Sequence, residues 1–432
     1  MSTVTAPQPA PTAQAPVGPA VQARIAWRGP VLYLVVALIS LVFFSLLTPG
    51  EDTTRFMVST RDDFVEIAPF AVPSRATALV LSVVALALAL WATRLTTQRR
   101  KVPTWVPILF GGLVLLAFLV WVMAGNTNAL PLTILLTGAL TLSVPLIFGS
   151  LAGLLCERSG IINIAIEGQL LGGAFLAVVV ASLTDNPYAG LVAAPVAGAL
   201  VGAVLVLFAV RYRIDQIIVG VVLNVLVVGV TNYLFSTVLT QNPQSLNSPP
   251  RLPTLPIPVL SQIPVIGPVL FDHSLIVYLM YVAVAVLQVM VFRSRWGLRM
   301  RAVGEHPKAA DTVGIKVNLT RVRNSILGGA VAGLGGAALV SAGLAFTKEL
   351  TSGKGYIALA AMILGRWSPK GALAASLLFG FADSLRQVLN NLGSPVPSQF
   401  LAMLPYLATI FAVAGLVGRV RAPAAEGIPY VK

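Results

Sequence analysis

The sequence predicts an all-α polytopic membrane protein with about twelve transmembrane helices, within a range of nine to twelve. Three observations lead there. Hydrophobic residues make up 57% of the 432 residues and charged residues 10%, and several apolar runs reach membrane-spanning length. A soluble core does not repeat such runs. The 37 glycines and 30 prolines suit close helix contacts and broken helices. The net charge of +14 is concentrated in short loops beside the apolar runs. It reads as a topology signal and a contact for anionic lipid, not as a nucleic-acid surface.

In chain order, residues 1–29 read as a disordered cytoplasmic tail, too polar at its start for a cleaved signal peptide. Spans are expected at 31–48, 76–93, 106–124, 130–155, 163–183, 189–210, 217–239, 274–292, 324–345, 371–391 and 400–418. The run 357–365 is short, so it crosses with help from its flanks or as a broken helix. Residues 156–168 also suit a broken or re-entrant piece. The segment 240–273 carries eight prolines, cannot be one regular helix, and offers an external docking surface. Of the 29 Lys and Arg, 22 fall on the assigned inner side and six outside, which places both termini in the cytoplasm.

The loop 293–323 fixes that orientation, with eight basic residues against Glu305 and Asp311. Pro307 suits the first turn of a helix, Lys308–Val313 continue it, and Gly314 can end it. Such a helix can pass a push from a cytoplasmic partner into the membrane. The plainer reading is a basic loop that only sets topology.

Polar residues at membrane depth are expensive and point to cavities or partners. Asn163 and Glu167 stand four apart, which on a helix puts them on one face, with Gly160 and Gly168 nearby to break or narrow it. They read as a wall of a solute pathway. The competing reading is a helix end in the interface, with Glu167 solvated or paired to Arg158. Asn224, Thr231 and Asn232 form a second face, suited to a polar solute or to interhelical bonding. Asp383 and Arg386, with Gln387 and Asn390, form a third, where an intramembrane ion pair serves as a clasp or gate. Glycine-broken apolar segments at 159–175 and 352–365 suggest inverted repeats with a pathway between them.

No stretch matches a phosphate-binding P-loop, two histidines and one cysteine make no metal cluster, and no nucleophile has a plausible base. The lone Cys156 leaves no internal disulfide. The chain therefore reads as a non-enzyme without cofactors of its own.

The loop WGLRMRAVGEHPKAADTVGI (296–315) resembles the coupling loop of ATP-binding-cassette importer permeases for branched-chain amino acids, simple sugars and nucleosides. The matching residues are Gly297, Arg301, Ala302, Gly304, Pro307, Ala309, Ala310, Gly314 and Ile315. ERSGIINIAIEGQLLGGAF (157–175), DQIIVGVVLN (215–224) and GYIALAAMILGRWSPKGALAASLLFG (355–380) resemble the nucleoside-type subunit, which works with a basic-membrane-protein-type lipoprotein.

The resemblance implies a permease core over 130–420, with 30–129 as an N-terminal extension of about three spans. It implies a plasma-membrane subunit of a bacterial nucleoside importer. Its partners would be an ATPase subunit holding ATP and Mg, a second related permease and an external substrate-binding lipoprotein. The family's coupling role falls on Gly304, Glu305, His306, Pro307, Ala309, Ala310 and Gly314. A solute-pathway role falls on Asn163, Glu167 and Asn224. The same machine for sugars or branched-chain amino acids is the nearest alternative. An ion-coupled secondary transporter has too few acids at membrane depth and no use for the loop 293–323. A scaffold without transport leaves the polar faces unexplained.

Overall fold

Backbone inside hydrocarbon must satisfy its own hydrogen bonds, so apolar runs of this length fold as helices. The computed structural model describes residues 27–59, 63–394, 396–397, 399–403, 406 and 421–431. Most of the expected tail, 1–29, and of the expected last span, 400–418, lies outside the described residues.

One compact unit lies within Met1–Thr48 and Arg75–Leu119. Its helices are α1 (Arg28–Ile39), α2 (Ser74–Thr97) and α3 (Trp105–Val122, which runs past the unit's end). A π-helical stretch, Ser40–Leu46, prolongs α1. Ala37, Ala85, Ala89 and Phe110 form its buried core. Three serines tie α1's extension to α2, with Ser40 and Ser82 hydroxyls 2.7 Å apart and Ser45 donating to Ser82 at 3.1 Å. Buried hydroxyls of this kind serve as interhelical glue.

The second unit holds Pro49–Ser74 and Val120–Lys432. It opens with three short strands that the all-helical expectation omitted: β1 (Thr53–Met57), β2 (Phe70–Pro73) and β3 (Leu130–Pro131). β1 lies centrally, antiparallel to β2 and parallel to β3. Then come α4 (Leu132–Glu157), α5 (Ile166–Thr184), α6 (Pro187–Val206, prolonged by π-helical Leu207–Arg211) and α7 (Gln216–Leu234, prolonged by Phe235–Leu239). The proline-rich stretch that follows is broken as expected, with only α8 (Pro243–Leu246), a 3₁₀ turn and α9 (Ile266–Leu270). After it stand α10 (Leu275–Arg293), α11 (Arg295–Glu305), α12 (Pro307–Thr312), α13 (Val317–Val340), α14 (Lys354–Leu364) and α15 (Pro369–Asn391).

Nine helices among the described residues are long and apolar enough to cross a membrane. α13 is not one of them, although it has 24 residues, because two arginines, Asn324 and five glycines dilute its hydropathy. It packs on α4, α5 and α6 instead of facing outward. Glycine lets the backbones meet: a Cβ on Gly198 of α6 would lie 2.1 Å from the Gly329 carbonyl of α13, and one on Gly173 of α5 would lie 2.6 Å from that of Gly333. α14 has 11 residues, about 16 Å of helix, roughly half the hydrocarbon thickness.

Candidate functional site

The α4–α5 connection, Arg158–Ala165, is not helical. Gly160 turns the chain with φ +88°, a region closed to most side chains. Asn163 therefore lies before α5, and the expected shared helical face of Asn163 and Glu167 does not exist. The buried backbone of the break needs partners, and side chains from neighbouring elements supply them. Ile162 N–H donates to Gln216 Oε1 at 2.7 Å. Asn224 of α7 donates from Nδ2 to Ile164 O at 2.9 Å and accepts Gly168 N–H at 2.8 Å. Asn163 and Gln169 exchange amide hydrogen bonds at 3.0 and 3.3 Å.

Glu167 neither meets solvent nor pairs with Arg158. It is 6% exposed and reaches the N-terminus of α14. Its Oε1 accepts from Thr351 Oγ1 at 2.5 Å and Gly353 N at 2.8 Å, and its Oε2 accepts from Gly355 N at 2.6 Å. A carboxylate here takes up orphan N–H groups and faces the positive end of the helix dipole. Asn224 Nδ2 also donates to Tyr356 Oη at 3.2 Å. The two glycine-broken segments thus touch: a Cβ on Gly355 would fall 2.4 Å from Glu167 N. In α7, Thr231 turns back onto Val227 O and Val228 O.

A second cluster sits at the other end of the break. Trp367 Nε1 donates to Glu157 Oε2 at 2.6 Å, while Arg158 donates from Nε and Nη2 to Trp367 O at 3.0 and 2.9 Å. Arg158 and Arg301 stack over the Phe292 ring at 5.7 and 5.4 Å. Neither Trp367 nor the pairing of Glu157 was singled out from the sequence. An aromatic following Gly365 and Arg366 carries no local signal of its distant partner.

The expected coupling helix is α12. Pro307 occupies its first turn, and Gly314 leaves it with φ +82°. Ile315 N–H bonds back to Ala310 O at 3.0 Å and closes the end. The residues expected to face an ATPase divide into two groups. Glu305, His306, Ala309 and Gly314 are exposed, and Pro307 is half-buried. Ala310 is 3% exposed and packs against Val303 and Val317 of its own chain. Gly304 is buried, and a Cβ there would lie 2.3 Å from Arg158 O. Ala310 and Gly304 hold the platform together and offer a partner no surface. Val303, Ala310 and Val317 stand on three successive helices, α11, α12 and α13, and meet in one small apolar cluster.

Asp383 and Arg386 approach to 3.5 Å with side chains 28% and 35% exposed, beside a cavity of about 200 Å³ shared with Ser352 and Lys354. Two further cavities, of about 310 and 480 Å³, share Thr137, Thr141 and Asp272. Arg251, His273 and Ser341 line the first, and Gln387 lines the second. Burial holds His273 below the ordinary histidine value, and its Nε2 lies 2.8 Å from Val269 O. Asn163, Glu167 and Asn224 line none of these three cavities.

Comparison with known proteins adds a family to this geometry. A guanosine permease of Bacillus subtilis strain 168, NupQ, is 38% identical over 70% of this chain and 97% of its own length. The nucleoside permease NupC of Lactococcus lactis is 37% identical over 70% of this chain and 98% of its own. A putative glucose permease of Haloferax volcanii, TsgC13, is 32% identical over 64% and 89%. No solved structure matches. Residues 135–416 match the family described as branched-chain amino acid transport system / permease component, and this multi-pass membrane chain belongs to that family of transport permeases.

Proposed function

We propose that this chain is a permease subunit of an ATP-driven importer for nucleosides. The observation that carries the reading is the likeness, over nearly their whole length, to two permeases named for guanosine and nucleosides. ATP and Mg sit on a separate ATPase subunit seated on the exposed side of α12. A second, related permease and an external binding lipoprotein complete the assembly, in the plasma membrane. Glu167 and Asn224 hold the broken α5 to the half-length α14, so a shift of the platform moves both ends of the core's irregular backbone. Reconstitution with the other subunits in proteoliposomes tests this. Guanosine uptake is expected to require ATP, and unlabelled nucleosides should compete where glucose and leucine do not. Competition by glucose would favour a sugar importer instead, a reading that TsgC13 keeps in view. Uptake driven by an ion gradient without ATP would overturn both.

Orientation is tested separately. Ser248 is exposed and Cys156 buried. In a Cys156→Ala background, Ser248→Cys is expected to react with an impermeant maleimide from outside the cell. Cysteines at Lys308 and near residue 430 should react only after permeabilisation. The reverse pattern would invert the topology.

A further inference from the structure

Residues 421–431 are irregular chain, yet Pro423 and Ala425 are buried. They touch three parts of the sequence that lie more than 100 residues away. Ala425 N–H donates to Gly304 O at 2.9 Å, at the end of α11. Gly427 N–H donates to Gly160 O at 3.3 Å, in the α4–α5 break. Arg321 of α13 donates from Nη1 to Ile428 O at 2.9 Å and from Nη2 to Ala425 O at 3.5 Å. Tyr430 packs on the cluster of Val303, Ala310 and Val317 that supports α12.

These contacts are fitted, not incidental. Arg321 is 1% exposed, and a buried guanidinium needs acceptors. The carbonyls of the C-terminal segment supply them. A Cβ on Gly427 (φ +74°) would lie 2.8 Å from Ile162 Cδ1, and one on Gly160 would lie 2.8 Å from Arg321 Nη2. Burial pushes the Glu426 carboxyl above the ordinary carboxylate range.

α11 also meets the break directly, where Gly304 abuts Arg158 O. Packed atoms resist compression but give little against separation. Hydrogen bonds on both sides let the C-terminal segment carry a pull as well as a push. We propose that residues 421–431 form a transmission strap, which makes the α4–α5 break follow α11 and α12 when they move, with Arg321, Ala425 and Gly427 as its positioning residues. The strap rests on the transport reading above.

The test uses the full reconstituted complex with the parent chain, Gly427→Val, and a chain ending at Val420. Hydrogen–deuterium exchange with and without ATP is read at 304–314 and 158–165, alongside ATP hydrolysis and guanosine uptake. In the parent, ATP should change exchange in both segments. In both variants the change at 304–314 should persist while that at 158–165 is lost. Uptake per ATP hydrolysed should fall by at least about fivefold, the low end of typical coupling between sites. If the truncated chain fails to insert, Gly427→Val carries the comparison. A 158–165 response that persists in the variants overturns the strap, even if uptake falls, because the segment is then only structural. A parent without ATP-dependent uptake overturns the transport reading, and the strap with it.

Discussion

Glu167→Ala is expected to abolish uptake and to lower the thermal stability of the purified permease together. The substitution leaves the Thr351 hydroxyl and the N–H groups of Gly353 and Gly355 without their acceptor in a buried site. Each unsatisfied buried donor costs about 1–3 kcal/mol, and the N-terminus of α14 also loses its countercharge. With three donors affected, the loss is a large part of a typical folding margin of about 5–15 kcal/mol. Glu167→Gln keeps one acceptor oxygen but turns an NH₂ toward a donor, so it should fall between wild type and alanine. Asn224→Ala releases Gly168 N–H and Ile164 O and should act in the same direction, with a smaller effect. Scanning fluorimetry in detergent and uptake in proteoliposomes check the order. A side chain that only contacted solute would change KM for uptake and leave melting untouched. Normal stability in Glu167→Ala would show that the α5–α14 clasp does not hold the core.

Much of the bundle was legible because membrane helices are local objects. Each of the spans expected from 31–48 through 274–292 has a helix within a few residues. The proline and glycine at 307 and 314 bracket α12 because their backbone preferences act within one turn. The glycine-broken segments were also visible, and the structure brings them into contact. What the sequence hid depends on distant partners. Four-residue spacing implied a common face for Asn163 and Glu167 only if a helix ran through both. Gly160 and the side chains of Gln216 and Asn224 instead stabilise an irregular connection. The strand Thr53–Met57 did carry a signal: β-branched and aromatic residues, with Thr54 and Phe56 buried in alternation. It was obscured by the charges around it. The strap, with its prolines and glycine, reads as a plain terminus, since its partners, the Gly304 and Gly160 carbonyls and the Arg321 guanidinium, lie more than a hundred residues away.

The two polar clusters give the break a fixed point at each end. At one, Glu157, Trp367 and Arg158 lock the end of α4 to the turn after α14. At the other, Glu167 and Asn224 lock the start of α5 to the start of α14. α14 is thus held at both ends by the segments that flank one interruption. A half-length helix fixed this way is tied to the break at both of its ends. Between the two ends, Ala358 packs against Ile166 and Leu170, and its carbonyl accepts the Ser150 hydroxyl of α4 at 2.7 Å.

Ala309→Trp is expected to uncouple transport while the permease inserts, folds and melts as wild type does. Ala309 lies on the exposed side of α12, so an indole there projects outward and blocks a groove on the ATPase without disturbing its own chain. Ala310→Trp should do something different. That position is 3% exposed against Val303 and Val317, and a large side chain forced into a filled site typically costs about 1–3 kcal/mol or more. Its lost uptake should come with a lower melting temperature. Val313, 74% exposed at the end of α12, offers a second probe. Val313→Asp should weaken ATPase binding by about tenfold, equivalent to ~1.4 kcal/mol, if it enters the same groove. Coupling also needs contacts that differ between the two states of the ATPase, since equal contact shifts no equilibrium. Stimulated ATP hydrolysis and uptake should therefore fall together in Ala309→Trp, while the external protein still binds solute. Three measurements decide the matter: copurification of the ATPase subunit, stimulated hydrolysis, and guanosine uptake. Wild-type values for all three in Ala309→Trp and in Val313→Asp would move the coupling surface away from α12.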